Sequence, residues 1–352
     1  PERVTGRARY TGDVRLPGML YARVLRSPHP HARVRRVDTR PAERLPGVRA
    51  VISRNTCDVV WTSGDSRNDR FLFNDPVRFV GDPVAAVAAV DRHTAEEALK
   101  AIVVDYEPLD FVLDPEEALR PGAVEIQPGG NLATRGRGVR EPEVYERGDL
   151  DAGFAASDVV LEDAFTSKHI NNAQLEPRVS VARWDGDRLT VWTPTQGVSN
   201  CQRDLARDLD LPPADVRVVC EYMGGGFGNK NQCQDSDLIA AVLARETGNA
   251  VKLEYTRKED FLGVHGRWPT RQYYRVGATR DGTLKAIELR GYSGLGPHRK
   301  SSGGIAGIEL FRCPNVRRVV HPTYTNMTVS ANFRGPAYPQ GVWGIESMMD
   351  QM

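Results

Sequence analysis

Cysteine is scarce. The chain of 352 residues has five, Cys57, Cys201, Cys220, Cys233 and Cys313, scattered and never in a CxxC pair. That spacing excludes a dense disulfide framework, a local zinc knuckle and a ferredoxin-type cluster loop, and it suits a reducing cytoplasm. Long apolar runs are missing as well. Val84 to Val90 is the longest plain stretch, far short of the roughly 20 residues that a membrane helix needs. Charge of one sign is also lacking: 47 Lys and Arg stand against 46 Asp and Glu, a net +1. Proteins that coat nucleic acid or anionic membranes usually show a one-sided excess. No initiator Met or apolar leader precedes Pro1-Glu2-Arg3, so the start reads as processed or trimmed.

What is present suits a folded α+β protein of two domains. Hydrophobic residues make up 40% and charged residues 26%, enough apolar side chain to bury a sizeable core. Leu20 to Leu25 predicts a strand that ends at Ser27-Pro28-His29-Pro30, where two prolines stop a ladder. Val84 to Val90 is a buried strand or a tight helix, and periodicity alone does not decide. Thr94-Ala95-Glu96-Glu97 has the form of a capping box, with Thr94 as N-cap of an amphipathic helix through Ala98, Leu99 and Ile102. A compact domain over 1–120 follows from this pattern. Residues 121–144, with Pro121-Gly122, Pro128-Gly129-Gly130 and Arg135-Gly136-Arg137-Gly138, carry no hydrophobic period and read as a linker.

A second domain spans 145–352. Val179 to Trp184 and Leu189 to Trp192 predict a hairpin about Asp185-Gly186-Asp187, and Tyr273 to Ala278 with Thr283 to Leu289 predict another about Arg280-Asp281-Gly282. A helix is expected from Ser199 to Leu209. Val216 to Cys220 should be a strand running into Gly224-Gly225-Gly226-Phe227-Gly228. A further helix, capped by Asp235 or Ser236, closes at Gly248.

Three segments could carry chemistry. Consecutive glycines strip away Cβ atoms, so the backbone at 224–228 can approach a ligand and offer N–H groups to oxygen; the alternative is a plain glycine turn. Lys230 follows Asn229 and Asn231 stands where Ser or Thr should be, so this is no Walker loop, and GxGxxG spacing is absent. Asn332 to Gln340 brackets Arg334 with an aromatic, a glycine and two prolines. That suits either a rigid loop presenting a guanidinium to an oxo or anionic group or an ordinary solvated arginine. Thr195-Gln196 lies at a strand end without an obvious cap role. His29, His31 and His265 read as structural histidines, and Cys201, Cys220 and Cys233 as small buried thiols.

Taken together, Val191-Trp192-Thr193-Pro194-Thr195-Gln196, then Gly224 to Lys230 with Phe227 31 residues after Gln196, then Phe333-Arg334-Gly335 through Gln340 resemble the molybdenum-cofactor subunit of the xanthine dehydrogenase/aldehyde oxidase family. Upstream, Val4 to Asp13, Arg26-Ser27-Pro28-His29-Pro30-His31-Ala32, Gly81-Asp82-Pro83 and Leu175-Glu176-Pro177 resemble the same subunit.

The resemblance implies an N-terminal α/β hammerhead domain followed by the first part of a molybdenum-cofactor-binding domain. It implies cofactor contacts at Gln196, Gly225, Gly226, Phe227, Gly228 and Arg334, with no metal ligand among the protein side chains because the dithiolene of the pterin holds the molybdenum. Arg299 falls where purine-oxidising members place an arginine against a substrate carbonyl, with a surface arginine as the alternative. Asn231 replaces their glutamate and Pro336 their sandwiching aromatic, which points away from purines toward another aromatic N-heterocycle or an aldehyde. The implied activity is hydroxylation with water-derived oxygen. The implied cofactor is molybdenum-molybdopterin in its cytosine dinucleotide form, with electrons passing to a small 2Fe-2S subunit and an FAD subunit. The catalytic base is a glutamate expected outside this chain, downstream or in a second molybdopterin-domain chain. The alternatives are a CO dehydrogenase-like or hydroxybenzoyl-CoA reductase-like subunit, or a non-catalytic scaffold. A cytoplasmic location is expected.

Overall fold

The computed structural model describes residues 2–61, 71–133, 140–298 and 302–352. Arg299, Lys300 and the run Arg135-Gly136-Arg137-Gly138 lie outside the described residues. In chain order the first elements are β1 (Leu20–Arg26), β2 (Ala32–Asp38), α1 (Arg40–Glu43), β3 (Val48–Ser53), β4 (Pro83–Ala89), α2 (Arg92–Ala101) and β5 (Val103–Pro108). Then come β6 (Glu143–Arg147), α3 (Leu150–Ala155), β7 (Val159–Ser167), β8 (Val179–Asp185), β9 (Arg188–Trp192), α4 (Val198–Asp208) and β10 (Val216–Val219). The last are α5 (Asp235–Thr247), β11 (Val251–Glu254), α6 (Arg257–Leu262), β12 (Thr270–Ala278), β13 (Leu284–Gly294), β14 (Asn315–Thr323) and α7 (Tyr338–Gln351). The backbone falls into two compact units, each assembled from two separate stretches: Pro1–Asp110 with Asn172–Val264, and Phe111–Asn171 with His265–Met352.

The first unit is built on a seven-stranded sheet in the order β10-β9-β8-β11-β1-β4-β3, with β2 and β5 forming a separate ribbon. The ambiguous run at 84–90 is a strand. Every residue of β4 is buried, and its side chains alternate between two cores, as period-two geometry requires. Ala86 and Ala88 join the cluster of Leu20, Ala22 and Leu253, while Ala85 and Val87 join that of Ala42, Ala98 and Ile102. The start of α2 corrects the expected cap: Asp91, not Thr94, is the N-cap, and its carboxylate accepts the Thr94 N–H at 2.8 Å. The helix begins at Arg92, three residues earlier than the expected cap allows, because a carboxylate accepts more strongly than a hydroxyl. Glu97 turns to Lys100 instead. Gly186 takes the positive φ that the β8–β9 hairpin needs, and Gly248 takes it where α5 ends. His31 donates from Nδ1 to the Asp110 carbonyl at 2.6 Å, and His29 packs edge-on against Tyr106.

The second unit holds a five-stranded sheet, β6-β14-β13-β12-β7, antiparallel except between β13 and β14. Helix α7 packs on β12 and β7 and buries Ile345 and Met348 against Tyr274, Val276 and Ile287. Ile126 and Ala133 are buried with Leu295 and Tyr324.

Candidate functional site

Strands β9 and β10 run parallel, Leu189 beside Val216 and Trp192 beside Val219. Ligands of α/β sheets gather beyond the carboxyl ends of such strands, and both motif segments emerge there. The chain leaving β9 is stitched to the glycine segment: Gln196 N–H donates to the Lys230 carbonyl at 2.6 Å, and Thr195 Oγ1 donates to the same oxygen at 3.1 Å. Gln196 then turns its side chain onto the loop, where Oε1 accepts the Gly228 N–H at 2.8 Å. Because an N–H requires an oxygen opposite, this contact sets which way the amide faces and leaves its NH2 as a donor.

Two of the glycines answer to a particular neighbour. A Cβ on Gly226 would lie 2.5 Å from Gln196 Oε1, and one on Gly224 would lie 2.6 Å from Glu176 Cβ. Gly225 and Gly228 have positive φ. So does Phe227, at 51°, a conformation that costs a bulky residue about 1–3 kcal/mol and is found mainly where function demands it. The residue is 44% exposed. Among the described residues the N–H groups of Gly225, Gly226 and Phe227 have no acceptor, whereas those of Gly224, Gly228 and Asn229 do. Three unused donors on Cβ-free or strained backbone form a ready cradle for oxygen or sulfur ligands. Asn231 is part-buried beside this turn, its carbonyl 2.8 Å from where a Gly197 Cβ would be.

The loop is anchored from behind by residues 172–178. Asn172 Nδ2 donates to the Phe227 carbonyl at 2.9 Å, and the Arg178 guanidinium donates to the carbonyl and Oδ1 of Asn229. Gln174 Nε2 donates to the Asp260 carboxylate, whose pKa burial raises despite Arg178 and Arg257. Lys230 is fully buried, with Nζ 2.9 Å from Glu176 Oε2. Burial pushes its ammonium down to about 8, against the pull of Glu176.

Arg334 and Pro336 lie in the second unit, both exposed. Their loop is gathered by a residue the sequence did not single out. Arg267 is buried, and its guanidinium donates to the carbonyls of Phe333, Arg334 and Gly335 and to Gln340 Oε1, at 2.6–3.1 Å. It also stacks on Phe333, 4.7 Å from the ring centre. With its backbone so held, the Arg334 side chain is free to face outward. Gln196, Gly225, Gly226, Phe227, Gly228 and Asn231 thus come together in the first unit, while Arg334 and Pro336 share a loop in the second. Arg178, Asn172 and Arg267 gave no local signal; Glu176 lay inside a quoted motif without an assigned role.

Cys201, Cys233 and Asp237 form a buried group whose ligand atoms lie within 4.8 Å of one another. Asp237 is committed there to folding, since Oδ1 accepts from Ser180 Oγ and Oδ2 from the Gln234 N–H at the start of α5. Burial raises the Cys233 thiol well above its usual range, and both sulfurs sit in the apolar core.

Comparison with known proteins gives this geometry a context. The family model for the molybdopterin cofactor-binding domain matches residues 135–352, and that for the aldehyde oxidase and xanthine dehydrogenase a/b hammerhead domain matches 5–110. The xanthine dehydrogenase molybdenum-binding subunit of Escherichia coli O157:H7 is 32% identical over 99% of this chain and 48% of its own length. The nicotinate dehydrogenase large molybdopterin subunit of Eubacterium barkeri is 31% identical over 100% of this chain and 83% of its own. The crystal structure of quinoline 2-oxidoreductase from Pseudomonas putida 86 superposes with a TM-score of 0.87 at 27% identity, over 96% of this chain and 44% of that one. The chain therefore spans about half the length of the first of these relatives and most of the second.

Proposed function

The chain belongs to the aldehyde oxidase and xanthine dehydrogenase family, and from that premise we propose that it is the molybdenum-cofactor-binding part of a hydroxylase acting on an aromatic N-heterocycle or an aldehyde. When bound, the molybdenum centre supplies a two-electron acceptor and transfers oxygen derived from water. The chain's own residues suit such a group. The amide NH2 of Gln196 would donate to the cofactor, and the unused N–H groups of Gly225, Gly226 and Phe227 would hold its polar atoms. Arg334, in the second unit, is assigned to the cofactor on its sequence motif alone. Asn231 in the first unit, a neutral amide, and Pro336 in the second, a small apolar ring, are assigned to the substrate on the same ground. Arg299, outside the described residues, is assigned to a substrate carbonyl on its sequence position alone. No side chain here is assigned as a metal ligand or as the base, which belongs to the remainder of the large subunit or to a second chain.

Three finer assignments complete the proposal: a cytosine dinucleotide on the pterin, a 2Fe-2S and an FAD partner to carry electrons away, and a cytoplasmic site of action. Among the described residues no helix is long and apolar enough to cross a membrane. A second molybdopterin-domain chain, the alternative to a longer large subunit, belongs to the same proposal. We retain the division of the chain into 1–120, 121–144 and 145–352.

The observation that carries the reading is the 2.8 Å bond from Gly228 N–H to Gln196 Oε1, which ties the motif glutamine to the glycine loop and leaves its donor end unspent. Elemental and pterin analysis of the complex isolated from its host tests it, together with Gln196→Ala. Stoichiometric molybdenum retained by a variant whose turnover falls roughly 10²-fold or more is the expected outcome. A wild-type complex with neither molybdenum nor pterin sinks the proposal, and unchanged turnover in the variant favours a scaffold.

A further inference from the structure

We propose that Lys230 and Glu176 act as a positioning clamp that holds the glycine loop and, through it, the amide of Gln196. The inference rests on the functional reading above for its consequence in catalysis, but not for its geometry. Lys230 works at both ends. Its Nζ donates to Glu176 Oε2 at 2.9 Å and to the Glu176 carbonyl at 2.8 Å, while its own carbonyl receives Gln196 N–H and Thr195 Oγ1. The same Glu176 Oε2 accepts the N–H of Gly224 at 2.8 Å. One carboxylate therefore joins the first glycine of the loop to the residue that seats Gln196.

Folding alone does not call for this arrangement. A fully buried ammonium is costly, and an apolar chain of like length commonly serves stability as well or better. What the ammonium adds is a charge-assisted grip, about twice as strong as a neutral hydrogen bond. The charged groups around it are Glu176 and Arg178 on the segment leading into β8 and Asp260 on α6. As pH rises through about 8, Lys230 sheds its proton and the grip on Glu176 weakens. Between about 8 and its ordinary 10.5 the unfolded chain still holds that proton and the folded one does not, so global stability gains with pH. Loop order and overall stability thus move in opposite directions.

Hydrogen–deuterium exchange on the native complex reads both, with α5 as internal reference and intrinsic rates corrected for pH. In the wild type, protection of residues 224–228 should fall between pH 7 and 9.5 while the melting temperature holds or rises. Lys230→Met should speed loop exchange about ten- to hundredfold and abolish its pH dependence; Glu176→Gln, which keeps an acceptor for Gly224, should sit between. Unchanged loop exchange in Lys230→Met and Glu176→Ala overturns the clamp. Should Lys230→Met fail to fold, a loop protection that stays flat through pH 8 in the wild type overturns it equally. A loop that loosens as described in a complex without molybdenum leaves the clamp standing and removes the functional reading instead.

Discussion

Adding one methyl group at residue 226 should separate activity from stability. Gly226 does not need a positive φ, so alanine fits its backbone, but the new Cβ would lie 2.5 Å from Gln196 Oε1, 2.9 Å from Cδ and 3.1 Å from Cγ. Ordinary contact requires about 3.5 Å, so the amide must retreat by about 1 Å and release the Gly228 N–H. Losing that bond costs about 1 kcal/mol of stability. A 1 Å misplacement at a reacting centre costs roughly 10² in rate, or about 2.7 kcal/mol of barrier. The assay is kcat on the best heteroaromatic substrate of a panel with an artificial electron acceptor, alongside molybdenum content and melting temperature. The decisive arm is the double variant. With Gln196→Ala already in place the three nearest atoms to that methyl are gone, so Gly226→Ala should cause little further loss. Additive losses in the pair, or a wild-type kcat in Gly226→Ala, refute the reasoning.

Two further outcomes follow from buried cations and rings. Arg267→Met strips the donors from four acceptors in the 333–340 loop; it should cost about 3 kcal/mol or more in denaturant titration and lower turnover along with it. His169 is part-buried with its Nε2 enclosed, and desolvation pushes its pKa down to about 4 from 6.5. The unfolded chain binds its proton first as pH falls, so stability is whole above 6.5 and is lost progressively toward pH 4, by about 3 kcal/mol in all. Melting curves across that window should flatten in His169→Phe.

Much of the local structure was legible because it is local. Asp185-Gly186 and Asp281-Gly282 set two hairpins, and helical spacing gave α5, which Gly248 ends but Gln234 caps in place of Asp235 or Ser236. The cap of α2 was misread since Asp91 and Thr94 both satisfy the same rule, and only the competition between a carboxylate and a hydroxyl decides. Arg178 and Arg267 escaped notice for a different reason. In sequence a buried arginine looks like any surface one, and its role appears only when distant carbonyls converge on it. The glycine loop was found as a motif, yet the reason for Gly226 and Gly224 lies in Gln196 and Glu176, which approach from the segments after β9 and before β8. No periodicity could reveal that the chain leaves the first unit after Asp110 and returns at Asn172.

In the first unit, β1 lies parallel to β11, with Leu20 beside Val251 and Ala22 beside Leu253. One continuous sheet thereby takes β1, β3 and β4 from the stretch matched by the hammerhead model and β8 to β11 from the stretch matched by the other. The evolutionary modules are not separable pieces of architecture. Once excised, the N-terminal module would carry β1 with a bare row of amides and carbonyls inviting aggregation, so grafting it between relatives requires the matching β11 to travel with it.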